Sequence, residues 1–191
     1  MTKRFITTIA ILIVYFSIYL LVQRIVSPSY DFSIPLDYMI PFIPETIWLY
    51  LSIILFFICV PIFLSNDEFQ RLFNIIAIAY LITLPLFILL PSNYPRIDYS
   101  TIQSSFYQWA YATTFVFDKP NNTFPSLHIS LTWITGLFLY KKSKWILLYA
   151  ILITLSVLTT KQHFILDICG GLVVVCVSYR LEKYIRFPKI V

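Results

Sequence analysis

The sequence predicts an all-α, polytopic membrane protein, and three observations predict it. Hydrophobic residues make up 59% of the 191-residue chain and charged residues 12%, with a mean hydropathy of +0.82. That leaves too little polar surface to cover a soluble globule. The apolar residues gather into six stretches of spanning character, and the basic residues partition unevenly between the connections. The length suits a single domain, residues 1–191, with no Ser/Gly-rich linker and no internal repeat. A net charge of +5 does not imply a nucleic-acid partner here, because the basic residues sit between apolar spans. Cys59, Cys169 and Cys176 fall inside apolar segments, without the spacing of a metal knuckle or disulfide framework. They read as small buried apolar residues and leave the compartment open.

Residues 5–22 form the first apolar stretch. It is too long for a signal-peptide core and has no small-residue cleavage site, so it reads as a retained transmembrane helix. Residues 27–45 carry Pro28, Pro35, Pro41 and Pro44 among Asp31, Asp37 and aromatic residues. Four prolines exclude a spanning helix, and the mixture predicts an interfacial segment along the headgroups. Residues 46–64 make the second span, the polar turn 65–71 follows, and residues 72–90 make the third, with Pro85 as its kink. The connection 91–124 is the longest polar stretch. Its Tyr, Trp and Phe content predicts a cap packed on the membrane surface rather than a loose linker. Residues 126–140 form a short fourth span before Lys141-Lys142-Ser143-Lys144. Residues 145–158 form the fifth, residues 163–177 the sixth, and a basic tail ends the chain. The predicted architecture is six transmembrane helices, with an interfacial segment in the first outer loop and a longer aromatic-rich third loop.

Charge orients this bundle. With six spans both termini share one side, which holds Lys3, Arg4, Arg71, Lys141, Lys142, Lys144, Arg180, Lys183, Arg186 and Lys189. The other side holds Arg24, Arg96, Lys119 and Lys161. Ten against four predicts cytoplasmic termini by the positive-inside rule. His128, His163, Asp167, Arg96 and Lys161 then all face the outer, periplasmic side.

Both histidines of the chain stand in compact polar patches inside apolar sequence. His163 and Asp167 are four residues apart at the head of an apolar helix, so they share a face within one turn. A carboxylate there can accept the proton-bearing ring nitrogen and leave the other nitrogen as a nucleophile. Taken alone, the pair also fits a structural staple. Pro125 and Ser126 suit a helix start, where free backbone N–H groups attract an anion beside His128. That patch also fits an ordinary cap with a snorkelling histidine. Arg96 and Lys161 add the positive charge a phosphate ester needs, although singly each reads as an interfacial cation.

The residues carrying these patches resemble a known family. Pro125-Ser126-Leu127-His128, with His163-Phe164-Ile165-Leu166-Asp167, is similar to the second and third motifs of the type 2 phosphatidic acid phosphatase (PAP2) superfamily. The closer resemblance is to the branch of inositol phosphorylceramide synthases and their bacterial relatives, which carries a cation and a polar residue before the histidine, as Lys161-Gln162-His163 does. The stretch from Pro35 through Asp37 to Pro44 also resembles that branch. Two positions depart from the superfamily pattern. Leu89 stands where the first-motif lysine would be, with Arg96 after Pro95 instead of before a proline. Val157 follows Ser156 where an arginine is usual. By this resemblance His163 attacks phosphorus, Asp167 holds its ring, and His128 protonates the departing alkoxide and later activates the acceptor. Arg96, Lys161, Ser126 and the backbone at Leu127 and His128 stabilise the phosphate oxygens.

The resemblance implies a lipid phosphate phosphatase in the cell's inner (plasma) membrane, working without metal or cofactor, with a membrane lipid phosphate as substrate and water as acceptor. The runner-up is a phosphotransferase that moves a phospho-headgroup onto a lipid alcohol. A transporter fits less well, because the first three helices hold hardly any intramembrane ionisable group. A metal hydrolase built on His128, His163 and Asp167 would set Lys161 and Arg96 against the ion. Reporter fusions or cysteine labelling are expected to place residues 91–124 outside and residues 141–144 inside. Both loops on one side would overturn the helix count and the orientation together.

Overall fold

The computed structural model describes residues 2–185 and 187–190; Arg186, counted above in the basic tail, lies outside them. Among the described residues the protein is all-helical, with eight α-helices and three short 3-10 turns. An isolated bridge between Tyr30 and Ser92 stands in place of any strand. Three helical stretches are long and apolar enough to cross a membrane. They are α1 (Thr2–Ile25), the run Pro44–Ile62 in which α3 (Ile47–Cys59) lies between two 3-10 turns, and α4 (Asn66–Leu89). Two shorter apolar helices lie further along the chain, α6 (Leu127–Leu139) and α7 (Trp145–Thr159). The last helix, α8 (Ile165–Leu181), has 17 residues. All six apolar stretches read from the sequence are therefore helical, and α4 runs through Pro85 without a break.

Local chemistry explains the helix ends. Ser65 and Glu68 close a capping box at the start of α4: the Ser65 hydroxyl accepts from the Glu68 N–H, and the Glu68 carboxylate accepts from the Ser65 N–H. Two helices lie where the sequence shows only connections. In the proline-rich first loop, α2 (Pro35–Met39) starts at Pro35, a position where a missing N–H costs nothing. It stops before Pro41, whose ring disfavours helix in the residue ahead of it. In the aromatic loop, α5 (Ser105–Phe117) turns Ala110, Tyr111 and Thr114 inward. The last helix also begins later than the sequence reading has it. His163 stands in the turn before α8 rather than inside the helix.

At the centre of the bundle α6 packs against α4, α7 and α8. One apolar core joins α4, α6 and α8 to α1 and α3, and a second gathers α3, α5, α6 and α7. By contrast α1 buries only Thr8, Val22 and Gln23 of its 24 residues and leaves Ile6, Ile13, Leu21 and Ile25 exposed. Such a face suits hydrocarbon, where a helix satisfies its own backbone.

At the crossing of α6 on α8 the two backbones come very close. A Cβ added at Gly171 would lie 2.7 Å from the Ser126 carbonyl oxygen and 3.2 Å from Ile129 Cβ. The Ser130 hydroxyl bridges the crossing, donating to Ser126 O at 2.8 Å and Gly171 O at 3.1 Å. Small residues at such crossings let two backbones meet. Gly171→Ala is therefore expected to cost about 1–3 kcal/mol by overpacking against backbone. Gly136→Ala, whose nearest contact would be Ala150 Cβ at 3.3 Å, should cost clearly less. Thermal unfolding of the two variants in detergent micelles reads the difference.

Candidate active site

The site begins with how α7 ends. The Lys161 N–H donates to Leu158 O and the Gln162 N–H to Val157 O, which closes the helix with a paired C-terminal cap. That cap needs a left-handed residue, usually glycine, and here Lys161 supplies it at φ 55°. The chain then turns through His163 into Phe164, whose extended backbone precedes α8. Asp167 is the third residue of α8, and its Oδ2 accepts from the Phe164 N–H at 2.9 Å. The same oxygen lies 3.2 Å from His163 Nδ1. The helix cap and the histidine thus share one carboxylate, and both side chains are buried, His163 8% and Asp167 0% exposed.

A second helix start faces this pair. Ser126 caps α6, its hydroxyl accepting from the Ile129 N–H at 3.2 Å, and its Oγ lies 3.1 Å from His163 Nε2. The Ser126 N–H donates to Asp167 O at 2.9 Å, so α6 is tied to α8 through backbone as well. For a neutral ring, the carboxylate, which can only accept, selects the tautomer. With Nδ1–H donating to the Asp167 carboxylate, Nε2 carries the lone pair and accepts from the Ser126 hydroxyl. Two helix N-termini converge here. That of α8 already holds Asp167, whereas α6 has no acidic residue in its first turn. Leu127 and His128 lie in that first turn, where N–H groups have no helical acceptor and the helix end carries partial positive charge.

His128 lies on α6 with its ring stacked on Tyr50, centroids 4.2 Å apart and planes 12° from parallel. Its Nε2 is buried without a hydrogen-bond partner among the described residues. Arg96 reaches the site indirectly. Its guanidinium donates to Gln162 Oε1, beside His163, and at 2.8 Å to Asp118 O, with Asp118 Oδ2 3.6 Å away. Lys161 turns elsewhere. Its ammonium donates to Asp37 O at 3.0 Å and to Ile40 O, both in the segment between α1 and α3. Burial lowers its pKa below the usual lysine value, and the Asp37 charge opposes that shift. The structure thus brings His163, Asp167 and Ser126 into contact, sets Leu127 and His128 beside them, and links Arg96 through Gln162. It does not bring the Lys161 ammonium to them. Among the described residues no three His, Cys, Asp or Glu side chains gather as a metal site.

Sequence reasoning missed Asp118. Its carboxylate accepts from the hydroxyls of Tyr19 on α1 and Tyr50 on α3 while pairing with Arg96. One acidic group thereby ties two helices and the cation, and it supports the ring on which His128 stacks. The available signal was an aspartate between the apolar end of α5 and Pro120, on the side of the bundle that holds Arg96, since a boundary carboxylate needs a partner.

The fold and the site together define an apolar helical bundle of membrane-protein character, with a buried Ser–His–Asp junction where two helix N-termini meet. The family model of the PAP2 superfamily matches residues 46–181, most of the chain, and the protein belongs to that superfamily. Its members are in general phosphatases and phosphotransferases, which supports phosphatase-type enzyme chemistry at that level. No curated protein and no solved structure matches the chain.

Removing the Asp118 carboxylate would leave the Arg96 guanidinium and two tyrosine hydroxyls short of an acceptor. Asp118→Ala is expected to destabilise the protein by about 2–3 kcal/mol, against about 1 kcal/mol for Tyr19→Phe. Thermal unfolding in micelles distinguishes the two, and equal losses would remove Asp118 from the centre of the network.

Proposed function

We propose that the protein is an integral membrane lipid phosphate phosphatase that cleaves a phosphate ester through a phosphohistidine. One observation carries this reading: His163 has Nδ1 bound to Asp167 and Nε2 turned to the capped N-terminus of α6. A phosphate at that N-terminus would meet the free N–H groups of Leu127 and His128 and the Ser126 hydroxyl. It would also lie in line for attack by His163 Nε2.

In the first step the Nε2 lone pair forms the N–P bond as the P–O bond to the lipid alkoxide breaks. His128, as imidazolium, gives its proton to that oxygen. The phosphorylated ring keeps its Nδ1 proton, and the Asp167 carboxylate balances the positive charge. In the second step neutral His128 takes a proton from water, the resulting hydroxide attacks phosphorus, and the P–N bond breaks to release phosphate and restore His163. Arg96 sets a positive potential beside the site through Gln162. Lys161 adds charge at longer range, since its donors are held by carbonyls. A lipid alcohol in place of water would make the same second step a transfer.

The proposed setting is the inner (plasma) membrane, crossed six times, with cytoplasmic termini and the histidines on the periplasmic side. The charge asymmetry of the loops and the apolar outward faces support it.

The Ser126–His163–Asp167 contacts also match a relay that activates serine, and this favours a second reading in which Ser126 is the nucleophile. Mutagenesis separates the two. His163→Ala should abolish turnover and the covalent phospho-enzyme, whereas Ser126→Ala should keep an alkali-stable, acid-labile phospho-enzyme at reduced rate. His128→Ala should lose about 10²–10⁴-fold on a lipid phosphate, and much less on a nitrophenyl ester whose leaving group hardly needs a proton. Rapid quench with labelled substrate, following free phosphate and new lipid products together, reads all arms. Label retained by His163→Ala and lost from Ser126→Ala would hand the nucleophile to serine.

A further inference from the structure

The first outer segment lies outside the residues matched to the PAP2 superfamily, yet it is bound to both sides of His163. Asp37, on α2, is 5% exposed. Its Oδ1 accepts from the N–H of Ile165, the first residue of α8, at 2.8 Å, and its Oδ2 accepts from the Ile34 N–H at 2.8 Å. Lys161 returns the contact, its ammonium donating to Asp37 O and Ile40 O where α2 ends. Each charge is therefore satisfied by the other segment's backbone, and the two attachments fall two residues before and two after His163. Further along, the Ile43 N–H donates to Thr159 O at 2.9 Å, and Thr46 Oγ1 lies 2.8 Å from Thr159 Oγ1, which fastens the segment to the last turn of α7.

Lys161 occupies the left-handed position at which glycine would be free of strain. A lysine there has an evident use only through its ammonium. The charges also fit the helix ends they meet, a carboxylate at the N-terminus of α8 and an ammonium at the C-terminal carbonyls of α2.

We propose that Asp37 and Lys161 form a reciprocal clasp that positions His163, so that the segment Ile34–Ile43 belongs to the working site although neither side chain touches phosphorus. This rests on the reading of His163 as nucleophile. Both residues are positioning residues, and the effect to look for is loss of alignment with binding kept.

The test uses the full-length protein in detergent micelles with Asp37→Ala, Lys161→Met, the double variant and Lys161→Arg. If the clasp aligns His163, kcat should fall about 10–100-fold in either single variant, as for other misaligned catalytic groups. KM and the inhibition constant of inorganic phosphate should stay within about threefold, because neither side chain contacts the phosphate and the charge of Lys161 acts only at longer range. The double variant should be no worse than the poorer single one, and Lys161→Arg, which keeps donors for both carbonyls, should recover to within about threefold of the parent. A separate arm needs no activity. The chain has two histidines, so carbethoxylation followed by mass spectrometry reads each one. Loosening the turn should raise the rate at His163 about fivefold or more, with His128 within about twofold.

An inhibition constant for inorganic phosphate raised about tenfold or more by Lys161→Met but not by Asp37→Ala would make Lys161 a phosphate ligand and overturn the clasp. Unchanged carbethoxylation of His163 in both variants, or losses that multiply in the double variant, would overturn it as well. If the parent forms no phosphohistidine, the proposed chemistry fails, while the carbethoxylation arm still decides the clasp. Should Asp37→Ala not accumulate folded, Lys161→Met, at a partly exposed position, decides it alone.

Discussion

The contact on which the site depends is the meeting of two helix starts, α6 at Ser126 and α8 at Asp167. A backbone bond, Ser126 N–H to Asp167 O, joins them, and a side-chain contact, Ser126 Oγ to His163 Nε2, runs beside it. Both require the backbones to come closer than a side chain at Gly171 would allow. The reward for that approach is electrostatic. Two positive helix ends meet there, and a single carboxylate, Asp167, compensates one of them and orients the histidine. A carboxylate with these partners is fixed in place. Its other oxygen, Oδ1, is buried without a hydrogen-bond partner among the described residues.

The polar groups around this junction follow one rule, imposed by low dielectric. A charge near the membrane boundary is costly unless it finds a partner, and here each partner comes from a distant part of the chain. Arg96 pairs with Asp118, which also accepts from tyrosines on α1 and α3. Asp37 and Lys161 are satisfied by each other's backbone neighbours. The same need for partners therefore ties the connections to the bundle. The aromatic loop is fastened likewise: the Asn121 amide donates to Gln23 O and Val26 O at the end of α1, each at 2.8 Å.

The arrangement separates two jobs. Orientation of His163 comes from the Asp167 and Ser126 side chains at its two ring nitrogens and from its N–H, which donates to Val157 O. His128 stacks on Tyr50 and keeps a ring nitrogen without a partner among the described residues. In the proposed chemistry an unpartnered nitrogen suits a group that receives and returns a proton, and a fixed ring suits a nucleophile.

By itself the sequence determined the fold class, the six apolar helices, the pairing of His163 with Asp167 and the cap at Ser126. Each is a local property, set by hydropathy over some twenty residues or by a spacing of three or four residues at a helix start. The helical character of α5 was not legible, because an aromatic, mixed-polarity stretch fits a surface loop as well as a helix that packs on its neighbours. The turn at His163 was not legible either, since apolar periodicity continues across the boundary between cap and helix. Tertiary structure alone decided the partners. That Lys161 turns to the carbonyls of α2, that Asp118 gathers Tyr19, Tyr50 and Arg96, and that Asp37 caps α8 are contacts between residues 22 to 128 positions apart. A charged residue in sequence shows only that it needs a partner in low dielectric. Which partner it finds depends on which chain segments the packed helices bring to the same end of the bundle.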